Sequence, residues 1–239
     1  MKGLYLILDL ITLLCPVLLS FDQKVRYFQS WKNVLTASTI IAIPFLIWDA
    51  IFTTEGFWGF NPDYLVGISI FGLPIEEILF FWVVPLACVF IYECCKYYFR
   101  NLQWRWLNVV VQIGIFCYII FLSAQNVAGW YTITTNIATV AVLYFWFTSI
   151  KSPQIGIAYL ICLIPFLVIN GMLTGSWIAE PIVWYNSNEF SDIRIGTIPM
   201  EDALYGFSLI AANILLHERL MRWKGITSFS SQKAESLTS

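Results

Sequence analysis

The chain has few charged residues: Asp, Glu, Lys and Arg make up 12% of its 239 residues, about half of the roughly 25% found in an ordinary soluble domain. It is instead 59% apolar and 18% aromatic, and its mean hydropathy is +0.74. So little polar surface cannot cover a water-facing globule, which excludes a soluble enzyme. The 13 basic and 15 acidic residues leave no basic excess for binding nucleic acid.

The sequence also lacks the usual signatures of cofactor and metal sites. Its six cysteines form no CxxC pair and it has a single histidine, His217, so neither a disulfide framework nor a zinc site is indicated. No GxGxxG or GxxxxGK loop is present, which argues against a dinucleotide or ATP site. A DDxxD motif for magnesium-dependent prenyl transfer is missing as well. We therefore expect no cofactor and no bound metal.

What the chain does have is long apolar runs. Seven of them come near the roughly 17 to 25 residues that a membrane-spanning helix requires. They cover residues 4–20, 34–52, 75–92, 107–123, 133–150, 155–173 and 200–216. The sequence therefore predicts an all-α integral membrane bundle of about seven transmembrane helices, surrounded by membrane lipid.

Lys and Arg are distributed unevenly between the predicted loops. Because these residues are retained on the cytoplasmic side of a membrane, we expect an external N-terminus, external loops at 53–73 and 174–198, and a cytoplasmic C-terminus. No targeting segment is recognised, so a prokaryotic cytoplasmic membrane is expected. Only Lys2 and Arg194 fall on the external side; the predicted cytoplasmic residues are Lys24, Arg26, Lys32, Lys96, Arg100, Arg105, Lys151, Arg219, Arg222, Lys224 and Lys233.

An internal repeat relates the two halves of the chain. The string IPFLIWD at 43–49 aligns with IPFLVIN at 164–170, and LPIEEILF at 73–80 aligns with IPMEDALY at 198–205. Two copies of a three-helix unit joined by one linking helix fit this pattern, and a single linking helix makes the copies run parallel. We predict a first repeat at 1–93, a linker with the fourth span at 94–124, a second repeat at 125–224 and a flexible polar tail at 225–239.

Pairs of acidic residues follow a proline at the start of the third and seventh spans. They are Glu76 and Glu77 in the first repeat, and Glu201 and Asp202 in the second. Carboxylates in a span are costly and usually functional, although acids in the first turn after a proline also make an ordinary helix start. Recurrence of the pattern in both repeats favours function. Close carboxylates in a dry site can share a proton and act as a general acid, whereas the helix dipole favours ionisation, and the sequence leaves this balance open.

Two further acids, Asp9 and Asp49, fall inside predicted spans. A hydrogen-bonded packing role is favoured for both. Only Asp49 has a polar counterpart in the other repeat, Asn170.

Together with Trp58-Gly-Phe60 and the string GLPIEEILFF at 72–81, the repeated proline and acid motif resembles the small membrane lycopene cyclases. In that family two homologous three-span units occur as separate subunits or fused in one chain, and this sequence resembles the fused form. The likeness extends over residues 1 to about 224. The second repeat departs from the pattern, because it reads Glu-Asp instead of Glu-Glu and has no Trp-x-Phe aligned with Trp58 and Phe60.

The resemblance implies an intramembrane enzyme that protonates the end of an acyclic carotenoid, lycopene or a related compound, and closes an ionone-type ring without net redox change or a cofactor. Such a reaction requires a proton donor, a base and aromatic faces for the cation. Carried over by position, the resemblance implies that the catalytic acids are Glu76, Glu77, Glu201 and Asp202. The prolines that set the helix starts are Pro74 and Pro199. The candidate substrate-binding aromatic residues are Trp58, Phe60, Phe80, Phe81 and Tyr205.

Two other functions are compatible with the residues alone. Paired acids and parallel repeats also suit a small proton-coupled transporter, and a purely structural membrane subunit is the third option. The ring type, the number of ends cyclised, the assignment of donor and base, and the oligomeric state, including a homo-oligomer, stay open at this stage.

Overall fold

The structure, a computed structural model, describes residues 1–99, 105–125, 129–149 and 154–223. Each predicted span coincides with one helix, which confirms the all-α bundle. The predicted tail at 225–239 lies outside the described residues. The seven α-helices of the described part are α1 (Leu4–Leu19), α2 (Trp31–Thr54), α3 (Ile75–Tyr98), α4 (Arg105–Gln125), α5 (Trp130–Ser149), α6 (Ile155–Leu173) and α7 (Met200–Trp223).

Length and composition allow four described segments to cross a membrane: Tyr27–Thr54, α3, Trp106–Gln125 and α6. The helix α1 is apolar but has 16 residues. The helix α5 is rich in threonine, and α7 carries several charged residues. Large apolar side chains point outward over the bundle, as Phe147 and Ile164 do with exposed fractions of 82% and 68%. Such a surface suits lipid and not water.

The acidic helix starts are built in the same way in both repeats. Two short strands, β2 (Ser69–Ile70) and β3 (Leu73–Pro74), form a hairpin directly before α3. A second hairpin, formed by β5 (Arg194–Ile195) and β6 (Ile198–Pro199), directly precedes α7. Pro74 and Pro199 are therefore the last residues before each helix, where the missing N–H costs nothing.

A third strand pair joins the two repeats. Strand β1 (Trp58–Phe60) pairs antiparallel with β4 (Val183–Tyr185), with Trp58 opposite Tyr185 and Gly59 opposite Trp184. One strand comes from the segment after α2 and the other from the segment after α6, which are equivalent in the repeat. We call the end of the bundle that carries segments 55–74 and 174–199 the loop end, and the opposite end the tail end.

Equivalent residues of the two repeats meet near both ends of α3 and α7, so these helices run parallel. At the loop end, Glu77 and Asp202 line one cavity. Near the tail end, the Lys96 Nζ lies 3.1 Å from Glu93 and 2.7 Å from Glu218, an acid of each repeat. Within each repeat the first helix packs on the third, α1 on α3 and α5 on α7. The internal repeat is thus confirmed, with its two copies parallel.

Candidate active site

A cavity of about 70 Å³ lies between the two repeats at the loop end. Its wall contains three carboxyl side chains and four tyrosines among mostly apolar neighbours. This is a small number of polar groups converging in an apolar pocket, which is typical of a site for a small hydrophobic ligand. The polar lining residues are Asp49, Glu77, Asn170, Asp202, Tyr5, Tyr131, Tyr185 and Tyr205.

The first repeat contributes a pair of carboxyl groups. Glu77, in the first turn of α3, accepts a hydrogen bond of 2.6 Å from the Tyr5 hydroxyl on α1. The Asp49 carboxyl on α2 lies within hydrogen-bonding reach of Glu77, and its Oδ1 accepts a 2.6 Å bond from the Trp58 indole. The other Asp49 oxygen is buried and receives no N–H or O–H donor from the described residues. Two carboxyl groups can bond to each other only when one of them is protonated.

The second repeat arranges its carboxylate differently. Asp202, the counterpart of Glu77, accepts hydrogen bonds from the Tyr131 hydroxyl at 2.6 Å, the Asn170 amide at 2.8 Å and the Tyr185 hydroxyl at 3.0 Å. Its side chain is buried. Three donors directed at one carboxylate favour its ionised form. Tyr131 matches Tyr5, since each lies on the first helix of its repeat and donates to the acid of the cavity.

Tyr185, in the loop strand β4, supplies one of these donors from outside the spans. Burial raises its pKa well above the ordinary value for tyrosine, and the nearby Asp202 carboxylate raises it further. The phenol therefore stays protonated and remains a hydrogen-bond donor to Asp202 at neutral pH.

The other acid of each pair points away from the cavity. Glu76 is fully buried and accepts a 2.6 Å hydrogen bond from the backbone N–H of Val66. Glu201, its counterpart, accepts a 2.7 Å bond from the backbone N–H of Ser191 and a 2.6 Å bond from the Thr132 hydroxyl. Both acids thus hold the loop that leads into their own helix. Neither belongs to the cavity lining.

Four of the five predicted aromatic residues line the cavity: Trp58, Phe60, Phe80 and Tyr205. The fifth, Phe81, is fully buried and packs on Phe45, with ring centroids 6.1 Å apart. Adjacent residues of a helix point about 100° apart, so Phe80 faces the cavity and Phe81 faces α2.

Sequence reasoning missed several residues of the cavity wall. Tyr5 and Tyr131 carry a usable signal, since they occupy corresponding places in α1 and α5, but they lie outside the strings that reveal the repeat. Tyr185 was visible only as one aromatic among many in its loop. Asp49 and Asn170 were recognised as counterparts, yet a packing role was favoured for Asp49, and both lie in the cavity wall.

Comparison with protein families gives one match. The model of a family described as lycopene cyclase matches residues 2–95 and again residues 128–220, so the two matched regions correspond to the two repeats. Searches of curated proteins and of solved structures returned no match.

Proposed function

This chain belongs to the lycopene cyclase family, and on that premise we propose that it closes a ring at the end of an acyclic carotenoid, such as lycopene, by proton-initiated cyclisation. The coarser conclusion, a membrane enzyme acting on carotenoids, follows from the family. The finer one is supported above all by the unequal surroundings of Glu77 and Asp202, which face the same cavity.

The reaction needs one proton in and one proton out. A proton adds to the terminal double bond of the acyclic end group and leaves a tertiary carbocation. The electron pair of an internal double bond attacks that cation and forms the ring. Loss of a proton from a neighbouring carbon then restores a double bond, so the product is an isomer of the substrate and no redox partner is required.

The pair formed by Glu77 and Asp49 suits the proton donor. A carboxyl group that shares its proton with a second carboxyl resists ionisation. Two carboxylates within hydrogen-bonding reach of each other would repel strongly in a site with little water. Tyr5 and Trp58 fix the two side chains by donating to their remaining oxygens. A general acid must be protonated and held in place before the substrate arrives, and both features of this arrangement support the pair as the proposed donor.

Asp202 suits the opposite task. With Tyr131, Asn170 and Tyr185 all donating to it, it is expected to be ionised. A fixed carboxylate beside the developing cation stabilises positive charge, and it can then accept the proton that leaves the ring. The faces of Trp58, Phe80 and Tyr205 supply further stabilisation for a cation.

In this proposal Glu76 and Glu201 are positioning residues. They bind the backbone of the two loops and so place the first turns of α3 and α7, where Glu77 and Asp202 sit. The two acids of each pair therefore have different roles: the first binds the backbone of the loop, and the second faces the substrate.

The test is expression in a bacterial host that accumulates lycopene, with the extracted pigments separated by chromatography. The wild-type chain is expected to convert lycopene into cyclic carotenoids. Glu77→Gln and Asp202→Asn are each expected to lower conversion by about 10²-fold or more, the usual contribution of general acid or base catalysis. A matched control is Glu55→Gln, which neutralises an exposed acid just beyond α2. Unchanged lycopene with verified membrane expression of the wild type would contradict the proposal, and proton-flux assays would then test the transporter.

A further inference from the structure

A second and larger cavity lies beside the cavity of about 70 Å³ that contains Glu77 and Asp202, which we call the reactive cavity. It has a volume of about 420 Å³ and lies between α1, α3 and α6. The two cavities are adjacent, because they share lining residues that include Phe80, Val84, Phe166 and Asn170. Along α3 the larger cavity extends from Phe80 to Ile91, which at about 1.5 Å per residue is roughly 16 Å towards the tail end.

The larger cavity is open to the lipid side and has an almost wholly apolar wall. Ile11 and Val168, on its rim, have exposed fractions of 54% and 49%, and Cys15 of the rim is also exposed. Thr12, one of its few polar wall residues, donates its hydroxyl to the Leu8 carbonyl and so is already satisfied. The wall therefore suits a long hydrocarbon with no polar group along its length.

The equivalent groove, between α2, α5 and α7, also holds a cavity, of about 410 Å³, but this cavity shares no lining residue with the one that contains Glu77 and Asp202. Larger side chains occupy the equivalent positions next to the site. Phe81 occupies the position that Gly206 holds in the second repeat, and Trp48 the position of Ile169. Phe81 packs on Phe45, and the Trp48 and Tyr205 ring centroids lie 5.0 Å apart. On the open side, Gly206 has no side chain, and a Cβ placed there would lie 3.3 Å from the Phe166 ring.

We propose that the groove between α1, α3 and α6 binds the linear polyene chain of the substrate while one end group occupies the reactive cavity, so that the enzyme takes its substrate through this single side. The proposal rests on the proposed function, because the occupant is the substrate of that function. A phospholipid fits less well, since its headgroup would have to leave water for an apolar wall or lie beside the Asp202 carboxylate. Lycopene is a hydrocarbon and is apolar from end to end.

Two matched pairs of substitutions test the groove from opposite walls. Cys15→Trp on α1 and Val168→Trp on α6 place a large ring in the groove. Their neighbours Leu14→Trp and Leu167→Trp place the same ring on exposed positions, 58% and 42% accessible, outside the groove lining. All four are measured for conversion of lycopene, and also in a Glu77→Gln background for lycopene that co-purifies with the protein.

The groove substitutions are expected to lower both conversion and bound lycopene by about tenfold or more, equivalent to about 1.4 kcal/mol of binding free energy. The lipid-facing substitutions are expected to stay within about twofold of their parent. A short acyclic analogue, with the same end group but no long tail, controls for folding. Its conversion should fall less than that of lycopene in Cys15→Trp and Val168→Trp.

Three results would overturn the proposal that the groove binds the polyene chain. Lycopene could remain bound in both groove variants, all four tryptophans could reduce binding equally, or the short analogue could be affected as strongly as lycopene. Phospholipid that co-purifies with the wild type and is lost from the groove variants in place of lycopene would identify lipid as the occupant. The proposed function fails separately: if the wild type binds lycopene in the groove but converts none, the binding site stands and the cyclase chemistry does not.

Discussion

Asp49 and Asn170 occupy the same position in the two repeats but act on their neighbouring acids in opposite ways. The Asp49 carboxyl lies within hydrogen-bonding reach of Glu77, whereas the Asn170 amide donates a 2.8 Å hydrogen bond to Asp202. An acid next to an acid retains a proton, and an amide donor next to an acid favours the carboxylate. In the proposed mechanism, this difference between the repeats makes the first repeat the donor side and the second the acceptor side.

The first prediction concerns Asp49→Asn, which gives the first repeat the arrangement of the second. The new amide can donate to Glu77 and favour its ionised form, so fewer molecules hold a proton ready for transfer. We expect the initial rate of lycopene conversion to fall by about 10²-fold, with the protein still inserted and folded. The rate is measured from the pigments formed in membranes that contain equal amounts of each variant.

A matched control for this substitution is Thr54→Val at the end of α2, whose hydroxyl donates to the Ala50 carbonyl on the exposed side of the helix. Its rate should equal that of the wild type. Full activity in Asp49→Asn would show that the donor does not depend on a shared proton, and would remove the basis for assigning it to the first repeat.

The second prediction separates the two acids of each pair. In Glu76→Gln and Glu201→Gln the side-chain carbonyl can still accept the N–H of Val66 or Ser191, so we expect activity within a few-fold of the wild type. Glu76→Ala and Glu201→Ala leave those N–H groups without their acceptor. We expect each alanine variant to lose roughly 1 kcal/mol or more of unfolding free energy, seen as a lower unfolding temperature in detergent.

The contrast between glutamine and alanine is the informative part of that experiment. If Glu76→Gln or Glu201→Gln lost activity as completely as Glu77→Gln while keeping the wild-type unfolding temperature, that acid would act in the chemistry and not in holding its loop.

Much of the fold could be predicted because the membrane simplifies the problem. Long apolar runs that cross a membrane form helices, because a helix hydrogen-bonds all of its own backbone N–H and C=O groups and lipid offers no other partners. The predicted start of α3 at residue 75 and of α7 at residue 200 agrees with the structure, because the preceding proline marks each boundary. The strand pair of Trp58 with Tyr185 could not be predicted, since three-residue strands within aromatic loops carry no periodic pattern.

The site was predicted in part for a related reason. The repeat pointed to the first turns of α3 and α7, and one acid of each lines the cavity. The sequence does not specify which acid of a pair faces inward, because that depends on how α3 and α7 are rotated against their neighbours. Tyr5 and Tyr131 reach the site from separate helices and only the assembled bundle brings them there.

The third prediction concerns the ionic cluster near the tail end. Lys96 lies between Glu93 and Glu218, and Glu93 also lies 3.2 Å from the His217 imidazole. Removing the Lys96 charge leaves the two largely buried carboxylates of Glu93 and Glu218 near each other without the positive charge that offsets their repulsion. We expect Lys96→Met to destabilise the protein by about 3 to 5 kcal/mol, measured as the loss of folded protein on heating or in denaturant.

Lys32→Met serves as its control, because Lys32 is exposed near the start of α2. Adding Glu218→Gln to Lys96→Met should restore part of the lost stability, since one of the two facing charges is then removed. An unfolding temperature of Lys96→Met equal to that of the wild type would mean that the cluster contributes no net stability and that α3 and α7 are held by their apolar contacts alone.

The last prediction places the reactive cavity relative to the membrane. The distribution of Lys and Arg predicts that the loop end is external and the tail end cytoplasmic. A reporter enzyme that is active only outside the cytoplasm, fused after Asn61, should therefore be active, and the same reporter fused after Lys151 should be inactive. The opposite pattern would mean that the loop end faces the cytoplasm, so that protons would reach the cavity from the cytoplasmic side. Equal activity at both sites would mean that the chain does not cross the membrane an odd number of times between Asn61 and Lys151, and it would contradict the seven-span arrangement.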